Sequence, residues 1–171
     1  MKKVVLFVAC AVFLSGCASQ SKGTVGVAVT DKPTEDYSAV MVTFSRAAIH
    51  KSGDNESGGW MDIANTTHTI DLLALHANQT SEALGFAKVD AGRYQQVRVY
   101  VDKVEATKKS DGSKVTMTVP SGVLRTSKSF EVKAGGNTTL TLEIDLDRSI
   151  NCNGDDCKFS PVLGKVEASE K

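Results

Sequence analysis

The sequence predicts an all-β domain, an antiparallel seven- to eight-stranded β-sandwich with one short helical segment near residues 70–77. Three observations predict this fold. Aliphatic and polar residues alternate one by one in several segments, turn-forming residues recur between those segments, and one stretch is rich in helix formers instead. Strands with one buried side and one solvent-facing side alternate in this way, and short strands at regular spacing are typical of sandwiches.

The alternation is clearest in residues 139–147. Leu140, Leu142, Ile144 and Leu146 occupy the even positions, and polar residues occupy the odd ones. No helix separates those two sets onto two faces, so the segment is predicted as a strand. The same reasoning predicts strands in residues 23–29, 40–44, 85–89, 95–104, 114–119, 127–132 and 159–166.

Turn residues and one helical stretch complete the predicted fold. Asp111-Gly112 is expected at the tip of a hairpin, because this dipeptide accepts the positive φ angles of a tight turn. Residues 70–76 read Ile-Asp-Leu-Leu-Ala-Leu-His, and Thr69 or Asp71 is available as a cap. We expect this helix to cover one open end of the sandwich, with its leucines in the core rather than on a partner-binding surface.

Residues 1–16 resemble a bacterial lipoprotein signal peptide. Lys2 and Lys3 precede an apolar run over residues 4–14, which is too short to span a bilayer as a helix. Leu14-Ser15-Gly16-Cys17 is similar to the lipobox, which implies cleavage before Cys17 and lipidation of that cysteine. A plain secretory signal is the alternative. Because Ala18 rather than Asp follows Cys17, we expect an outer-membrane lipoprotein, facing the periplasm or the cell surface.

The rest of the chain is predicted to hold a lipidated cysteine with its tether, residues 17–22, and a single domain, residues 23–168. The short polar segment after Cys17 lacks apolar anchors and is typical of a flexible linker. The formal net charge is zero and the basic residues are scattered, which argues against nucleic acid as a partner. The predicted partner is the membrane, through the lipid, and no cofactor is expected.

The remaining cysteines favour a disulfide between Cys152 and Cys157. Cys10 lies in the predicted signal peptide and Cys17 is the predicted lipidation site. In an envelope compartment outside the cytoplasm, such a pair most simply forms a disulfide. A zinc site is the rival interpretation, but two sulfurs with no neighbouring histidine or second cysteine pair fall short of four ligands.

Catalytic motifs are absent from the sequence, which favours a non-enzymatic protein. It contains no G-x-S-x-G, H-E-x-x-H, P-loop or G-x-G-x-x-G pattern. His50, His68 and His76 match no zinc signature, and such lone histidines are usually structural or surface groups. A hydrolase that brings Asp71 beside a histidine in a cleft is kept as a third hypothesis.

Two groups of oxygen-bearing side chains are candidate calcium ligands. Asp31, Glu35 and Asp36 follow the first predicted strand and could place several oxygens at one end of the fold. The preferred alternative is that Asp31 only forms an Asx-turn before Pro33. The second group is Asn151, Asn153 and Asp155, but its glycine does not stand where a calcium loop needs one, and the predicted disulfide turn already explains these residues.

Aromatic residues are the candidate ligand-binding side chains, because sugar rings commonly stack on exposed aromatic rings. The single tryptophan, Trp60, follows Gly58-Gly59. Tyr37 is a second candidate platform, and Tyr94 and Tyr100 complete the set. Core packing is the alternative role for Trp60. Tyr94 follows Ala91-Gly92-Arg93 at the start of a predicted strand and is expected to tie that strand to its loop.

The chain resembles domain-of-unknown-function family 4382, a group of bacterial lipoproteins. The matching motifs run in family order over residues 23–167 and are Val27-Ala28-Val29-Thr30-Asp31-Lys32-Pro33, the strand ending at His50, Gly59-Trp60, Ile70-Asp71-Leu72-Leu73-Ala74-Leu75, Ala91-Gly92-Arg93-Tyr94-Gln95-Gln96-Val97-Arg98, Val119-Pro120-Ser121-Gly122 and Thr138-Thr139-Leu140-Thr141-Leu142. The resemblance implies a single sandwich similar to transthyretin-like and starch-binding-like folds. It implies no activity, and the segment from Cys152 to Cys157 departs from the family pattern.

These observations favour a non-enzymatic, lipid-anchored binding module of the cell envelope, with a carbohydrate or another surface polymer as its ligand. An exposed Trp60 beside polar loop residues would support this function. The alternative is a structural or assembly component of an outer-membrane complex, which a contiguous apolar surface patch would favour.

Overall fold

The computed structural model describes residues 21–56 and 58–171. The predicted signal peptide, Cys17 and most of the tether lie outside the described residues. The elements follow the chain in this order: β1 (Lys22–Lys32), β2 (Tyr37–Lys51), β3 (Trp60–Ala64), β4 (His68–Asp71), α1 (Leu72–Ala77), β5 (Glu82–Asp90), β6 (Gly92–Lys108), β7 (Lys114–Met117), β8 (Val123–Thr126), β9 (Phe130–Val132), β10 (Asn137–Asp145), α2 (Leu146–Ser149), β11 (Ile150–Asn153), β12 (Asp156–Phe159) and β13 (Leu163–Glu170).

Two sheets form an all-β sandwich, as predicted. The smaller sheet has the order β13-β10-β1-β5, and the larger sheet is built on β2 and β6. Segments β3 and β4 follow one another along the free edge of β2, and β7, β8 and β9 do the same along β6. The eleven strands of the two sheets thus fill four positions in each. One pair departs from the antiparallel prediction, because β1 and β10 run parallel.

The antiparallel pairing of β2 with β6 is the centre of the larger sheet. From residue 38 to residue 44 the buried residues of β2 are Val40, Val42 and Phe44, at even positions. The register shifts on both sides of Phe44, and the aliphatic residues that continue the core are then Ala47 and Ile49. A bulge of this kind adds one residue to a strand and exchanges the two faces. Residues 46, 48 and 50 consequently lie on the outer face.

The core lies between the two sheets and takes aliphatic side chains from both. The inner residues of β10 alternate with polar ones, whereas those of β1 alternate with small residues, Gly26 and Ala28. The inner residues of β6 switch from odd to even positions opposite the bulge in β2. The largest side chains of this core with almost no solvent exposure are Tyr94, Phe44, Phe159, Ile49, Leu72, Leu140, Leu142, Ile144 and Leu146.

Helix α1 covers one end of the sandwich, as predicted for this segment. Leu72 is fully buried, and Leu73 and Leu75 pack against the core, which confirms the core role of these leucines. Asp71 occupies the N-cap position, but its side chain makes no cap hydrogen bond. Its carboxylate accepts from the backbone N–H of Val40 at 3.1 Å instead, so it ties the helix start to β2. No helix among residues 21–56 and 58–171 is long and apolar enough to cross a membrane.

Two segments that the sequence predicts as single strands are interrupted in the structure. The alternation through residue 147 predicts one strand, but β10 ends at Asp145, whose side chain accepts from the backbone N–H of Arg148 at 3.2 Å and caps α2. Residues 159–166 hold the end of β12 and the start of β13 rather than one strand, because the chain between these strands turns from the β11–β12 hairpin to the smaller sheet.

The structure contains the predicted turn at Asp111-Gly112 and the predicted contact of Tyr94 with the loop before its strand, which we call the corner. Gly112, at φ +72°, lies in the turn between β6 and β7, a conformation that side chains with a Cβ rarely adopt. Tyr94 is fully buried, and its hydroxyl donates to the backbone carbonyl of Asp90 at 2.8 Å. This bond closes the tight connection between β5 and β6. Burial, together with the charge of Asp90, raises the pKa of Tyr94 to about 12.

Strands β11 and β12 form a separate hairpin, in which Cys152 and Cys157 are cross-strand partners joined by a disulfide. Cys157 is buried, whereas Cys152 is exposed. The hairpin is attached to the larger sheet through a parallel bridge between Thr118 and Lys158. A disulfide that closes so short a loop contributes about 2 kcal/mol in the chain-entropy model, so we expect the sandwich to stay folded when the disulfide is reduced.

We predict that Tyr94→Phe lowers the free energy of unfolding by about 1–2 kcal/mol, because the substitution leaves the Asp90 carbonyl without its donor. Urea denaturation at neutral pH measures this loss. Tyr100→Phe, which removes a hydroxyl outside the core, is the matched control and should change stability by less than about 0.5 kcal/mol. Equal effects of the two substitutions would contradict the role assigned to the corner.

Candidate functional site

The outer face of the larger sheet carries a cluster of charged and aromatic side chains. We call Arg46, Trp60, Asp62, Arg98, Tyr100 and Arg125 the arginine–aromatic face. Their strands lie in the order β3, β2, β6 and β8. In the central row, Asp62 pairs with Ala48, Ala48 with Arg98, and Arg98 with Arg125. On either side of that row, Trp60 pairs with His50, and Arg46 with Tyr100.

Arg98 stacks on Trp60 across the intervening strand β2. The guanidinium carbon lies 3.8 Å from the centre of the tryptophan ring system, a cation–π contact. The position between the two strands is occupied by Ala48, which is almost fully buried. A larger residue at position 48 would stand in the path of the arginine. The Nε of Arg98 is buried without a hydrogen-bond partner among the described residues.

Arg46 makes a second arginine–aromatic pair beside the first. Its guanidinium carbon is 5.3 Å from the centre of the Tyr100 ring. Its Nε donates to Asp62 at 2.6 Å, and both side chains of this ion pair are about 40% exposed. The charge of Arg46 is therefore balanced within the face, and the contact holds β3 to β2.

Trp60 is fixed on three sides. Besides the Arg98 contact, the His50 ring meets it edge-on at 4.9 Å between centroids. The indole Nε1 donates to the Glu56 carbonyl at 3.1 Å. Trp60 is only partly buried and is not part of the core. The structure thus places this tryptophan on the outer face of the sheet and not in the core, which was the alternative role.

His50 is a structural residue. It is buried, and its Nε2 lies 3.0 Å from the Asn55 carbonyl, while its Nδ1 lies 3.4 Å from the Gln95 side-chain nitrogen. A neutral imidazole that donates from Nε2 and accepts at Nδ1 satisfies both contacts. Gly59, at φ +73°, ends the loop that leads into β3. A side chain at this position would clash, because its Cβ would lie 2.5 Å from the Cβ of Asp54. The loop before β3 is therefore held against Trp60.

Tyr37, the second candidate platform, lies at the opposite end of β2. Trp60 lies beside His50, near the end of β2. Tyr37 begins this strand and is about 40 Å from His50, because an extended strand rises about 3.3 Å per residue. The two candidates therefore belong to different places on the molecule. Tyr37 is 5% exposed, burial raises its pKa, and its hydroxyl is 3.4 Å from the Sγ of Cys152.

A surface cleft of about 420 Å³ adjoins Tyr37. It lies between the chain before β2, the β6–β7 turn and the disulfide hairpin, and its lining includes Asp36, Lys108, Lys109 and Cys152. Its charges are balanced locally, since Lys109 lies 3.7 Å from Glu35 and Lys108 lies 4.0 Å from Asp155. Among the described residues, Asp36 is the charged lining group that forms no ion pair, and one exposed carboxylate does not single out a ligand.

The three predicted calcium ligands do not form a metal-binding group. Asp31 is 3% exposed, whereas the side chain of Glu35 is 98% exposed and faces Lys109, and Asp36 lines the cleft. Within the described ranges, no group of three or more His, Cys, Asp or Glu residues is arranged to hold a metal ion. The second predicted group also lies apart from a metal site, since Asn151, Asn153 and Asp155 are exposed on the hairpin.

The Asx-turn predicted for Asp31 is wrong. Neither carboxylate oxygen has a hydrogen-bond partner among the described residues, although the side chain is buried at the end of β1. Pro33, two residues further on, has no N–H to donate to an Asx-turn. Burial raises the pKa of Asp31 to about 6; the charge of His76 opposes this shift, and that of Asp71 adds to it. The carboxylate of Asp71 accepts a hydrogen bond from the backbone N–H of Val40. The ring of His68 is hydrogen-bonded to the Thr66 hydroxyl, with 2.9 Å between His68 Nε2 and Thr66 Oγ1.

We predict that Asp31→Asn stabilises the protein at pH 7.5 by up to about 3 kcal/mol and has little effect near pH 4. The pKa of Asp31 is higher in the folded than in the unfolded chain, so its contribution to stability is full below pH 4. That contribution is lost as the pH rises through about 6. Urea denaturation of both proteins from pH 4 to pH 8 measures the difference, and a pH-independent difference would contradict this assignment.

Sequence comparison gives the family. A family model described as Domain of unknown function (DUF4382) matches residues 22–161. The chain belongs to this family. No curated protein and no solved structure matches the chain. The DUF4382 match runs from the start of β1 to just beyond β12 and therefore includes the whole arginine–aromatic face and the disulfide hairpin.

The sequence pointed to the aromatic residues Trp60 and Tyr100 but not to the arginines beside them. Arg46, Arg98 and Arg125 are separated along the chain and form no motif, and only the pairing of β2, β6 and β8 brings them into adjacent rows. The one available signal was the outward position of a single arginine in the alternating segment that contains Val97 and Val99. That signal identifies a surface residue but not its partner.

Proposed function

We propose that this DUF4382 protein is a non-enzymatic binding module of the cell envelope, anchored through lipid on Cys17, and that it binds a polysaccharide on the arginine–aromatic face. The anchoring part of the proposal rests on the resemblance of residues 1–17 to a lipoprotein signal. The binding part rests on one observation, the stacking of Arg98 on a partly exposed Trp60 that is fixed from three sides.

The chemistry of the face favours a sugar polymer. Two aromatic rings and two guanidinium groups lie side by side on the outer surface of a sheet, together with the Asp62 carboxylate. Rings offer flat apolar surfaces, and guanidinium groups offer several N–H donors in one plane. A saccharide presents the matching surfaces, with C–H groups on the faces of its ring and hydroxyls around the edge.

The shape of the face favours an extended ligand. Its residues follow adjacent strands across an open sheet surface rather than lining an enclosed cavity. The loop before β3 is held by Trp60 and His50, so little ordering is needed at the aromatic platform when the ligand binds. A chain of several sugar residues can contact such a strip along its length.

The test is a panel of polysaccharides titrated into the purified protein. Trp60 is the only tryptophan, so its fluorescence reports directly on this face. A ligand that binds the native state must also raise the melting temperature. We expect Trp60→Ala and Tyr100→Ala each to lower the affinity about tenfold or more, as for aromatic residues at the centre of a binding surface.

Phe86→Ala is the matched control, because Phe86 is an exposed aromatic residue, 61% accessible, on the smaller sheet. It should leave the affinity unchanged. Binding that depends on Phe86 and not on Trp60 would contradict the proposed site. Absence of binding to every polysaccharide in the panel would contradict the proposed function and would favour a structural role in an envelope complex.

A separate prediction concerns the anchor. Cys17→Ala removes the sulfur that would carry the lipid, so we expect the variant to remain unprocessed or to leave the membrane fraction. Several acyl chains, at about 0.8 kcal/mol per buried methylene group, otherwise make release negligible. Membrane fractionation and intact mass of the wild type and the variant measure this outcome. Normal processing and unchanged membrane association of Cys17→Ala would contradict lipidation at this residue.

A further inference from the structure

Two arginines are direct cross-strand partners on the outer surface of the larger sheet. Arg98 on β6 and Arg125 on β8 are register partners, and the inward residues beside them are Val97, Val99 and Leu124. Directly opposed like charges on neighbouring strands destabilise a sheet. The pair gives this surface a local excess of positive charge.

The other charged groups of the face do not balance this pair. Asp62 is engaged by Arg46, and Asp102 accepts a hydrogen bond from Ser45 at 2.7 Å. In residues 21–56 and 58–171, no carboxylate lies within 4.0 Å of a nitrogen of Arg98 or Arg125. The Arg98 Nε is in addition a buried donor that none of these residues satisfies, an arrangement that normally destabilises the folded state.

Trp60 determines where the Arg98 guanidinium lies. The 3.8 Å stack holds it over the ring, beyond Ala48. Arg125 is exposed at the other side of Arg98, on β8. An anionic chain lying along this surface could therefore meet the oriented guanidinium of Arg98 and the exposed side chain of Arg125. Guanidinium groups bind carboxylates through paired, planar hydrogen bonds, which are stronger than bonds between neutral groups.

We infer that Arg98 and Arg125 bind the carboxylate of an acidic polysaccharide, such as a polyuronate, whose sugar rings lie on Trp60 and Tyr100. This inference rests on the proposed function, since it names the class of polymer that the arginine–aromatic face takes. The aromatic residues supply contact with any sugar ring, and the arginine pair supplies the preference for the charged one. A neutral polymer leaves the repulsion between the two arginines in place.

The experiment compares polygalacturonate with its methyl ester, which has the same chain without the negative charges. We expect the acidic form to bind at least about tenfold more tightly, with an advantage that shrinks as NaCl rises from about 50 mM to about 500 mM. Arg125→Gln should remove most of this advantage, so that the ratio of the two affinities falls toward one. Arg148→Gln, a neutralisation on α2, is the matched control and should preserve the preference.

A second measurement needs no ligand. Because Arg125 and Arg98 repel one another in the free protein, Arg125→Gln should raise the melting temperature by about 1–3 °C, and Arg125→Glu should raise it further by pairing with Arg98. A residue that lowers stability while it raises affinity has a binding role. An unchanged or lower melting temperature for both variants would contradict the repulsion on which the inference depends.

The outcomes separate the inference from the proposed function. Equal affinities for the two polymers, both dependent on Trp60, would leave the sugar-binding face in place and contradict the arginine pair. Equal binding of inorganic polyphosphate would show a general anion surface and would also contradict the inference. Binding of neither polysaccharide would contradict both.

Discussion

The antiparallel pairing of β2 with β6 is the constraint on which the rest of the structure depends. These two strands carry the edge segments of the larger sheet, supply much of the core and place the arginine–aromatic face outside. The bulge around Phe44 is decisive, because it moves the buried side of β2 from even to odd positions. Without it, Arg46 and His50 would point into the core and Ala47 and Ile49 into solvent.

How much of the structure the sequence could predict depends on how far apart along the chain the interacting residues lie. The alternation in β10, the core role of Leu72 and the pairing of Cys152 with Cys157 are local signals, and the structure contains all three. Short edge strands such as β3, β4 and β8 carry too few alternating residues to be recognised, and they are strands because β2 and β6 offer free edges. The bulge has no local signal either. The contact between Arg98 and Trp60 depends on the register of three strands.

The arginine–aromatic face combines rigidity with an unfavourable arrangement of charge. Trp60 is held by Arg98, by the His50 ring and by the Glu56 carbonyl, so the platform exists before a ligand arrives. Arg98 and Arg125 are opposed on the same surface without a carboxylate partner in the described residues. Local strain that a ligand relieves is a common property of binding sites. The cleft beside Tyr37 differs, because its lysines are already paired with acidic residues.

The central claim, that the outer face of the larger sheet is the binding surface, is tested most directly by mapping a bound polyuronate oligosaccharide with NMR. The indole N–H of Trp60 and the Nε–H groups of Arg46, Arg98 and Arg125 give side-chain signals that report on this face alone. We expect these signals, and the backbone amides of residues 96–100 and 123–126, to shift on titration. Shifts confined to Tyr37, Lys108 and the disulfide hairpin, with the Trp60 signal unchanged, would contradict the claim.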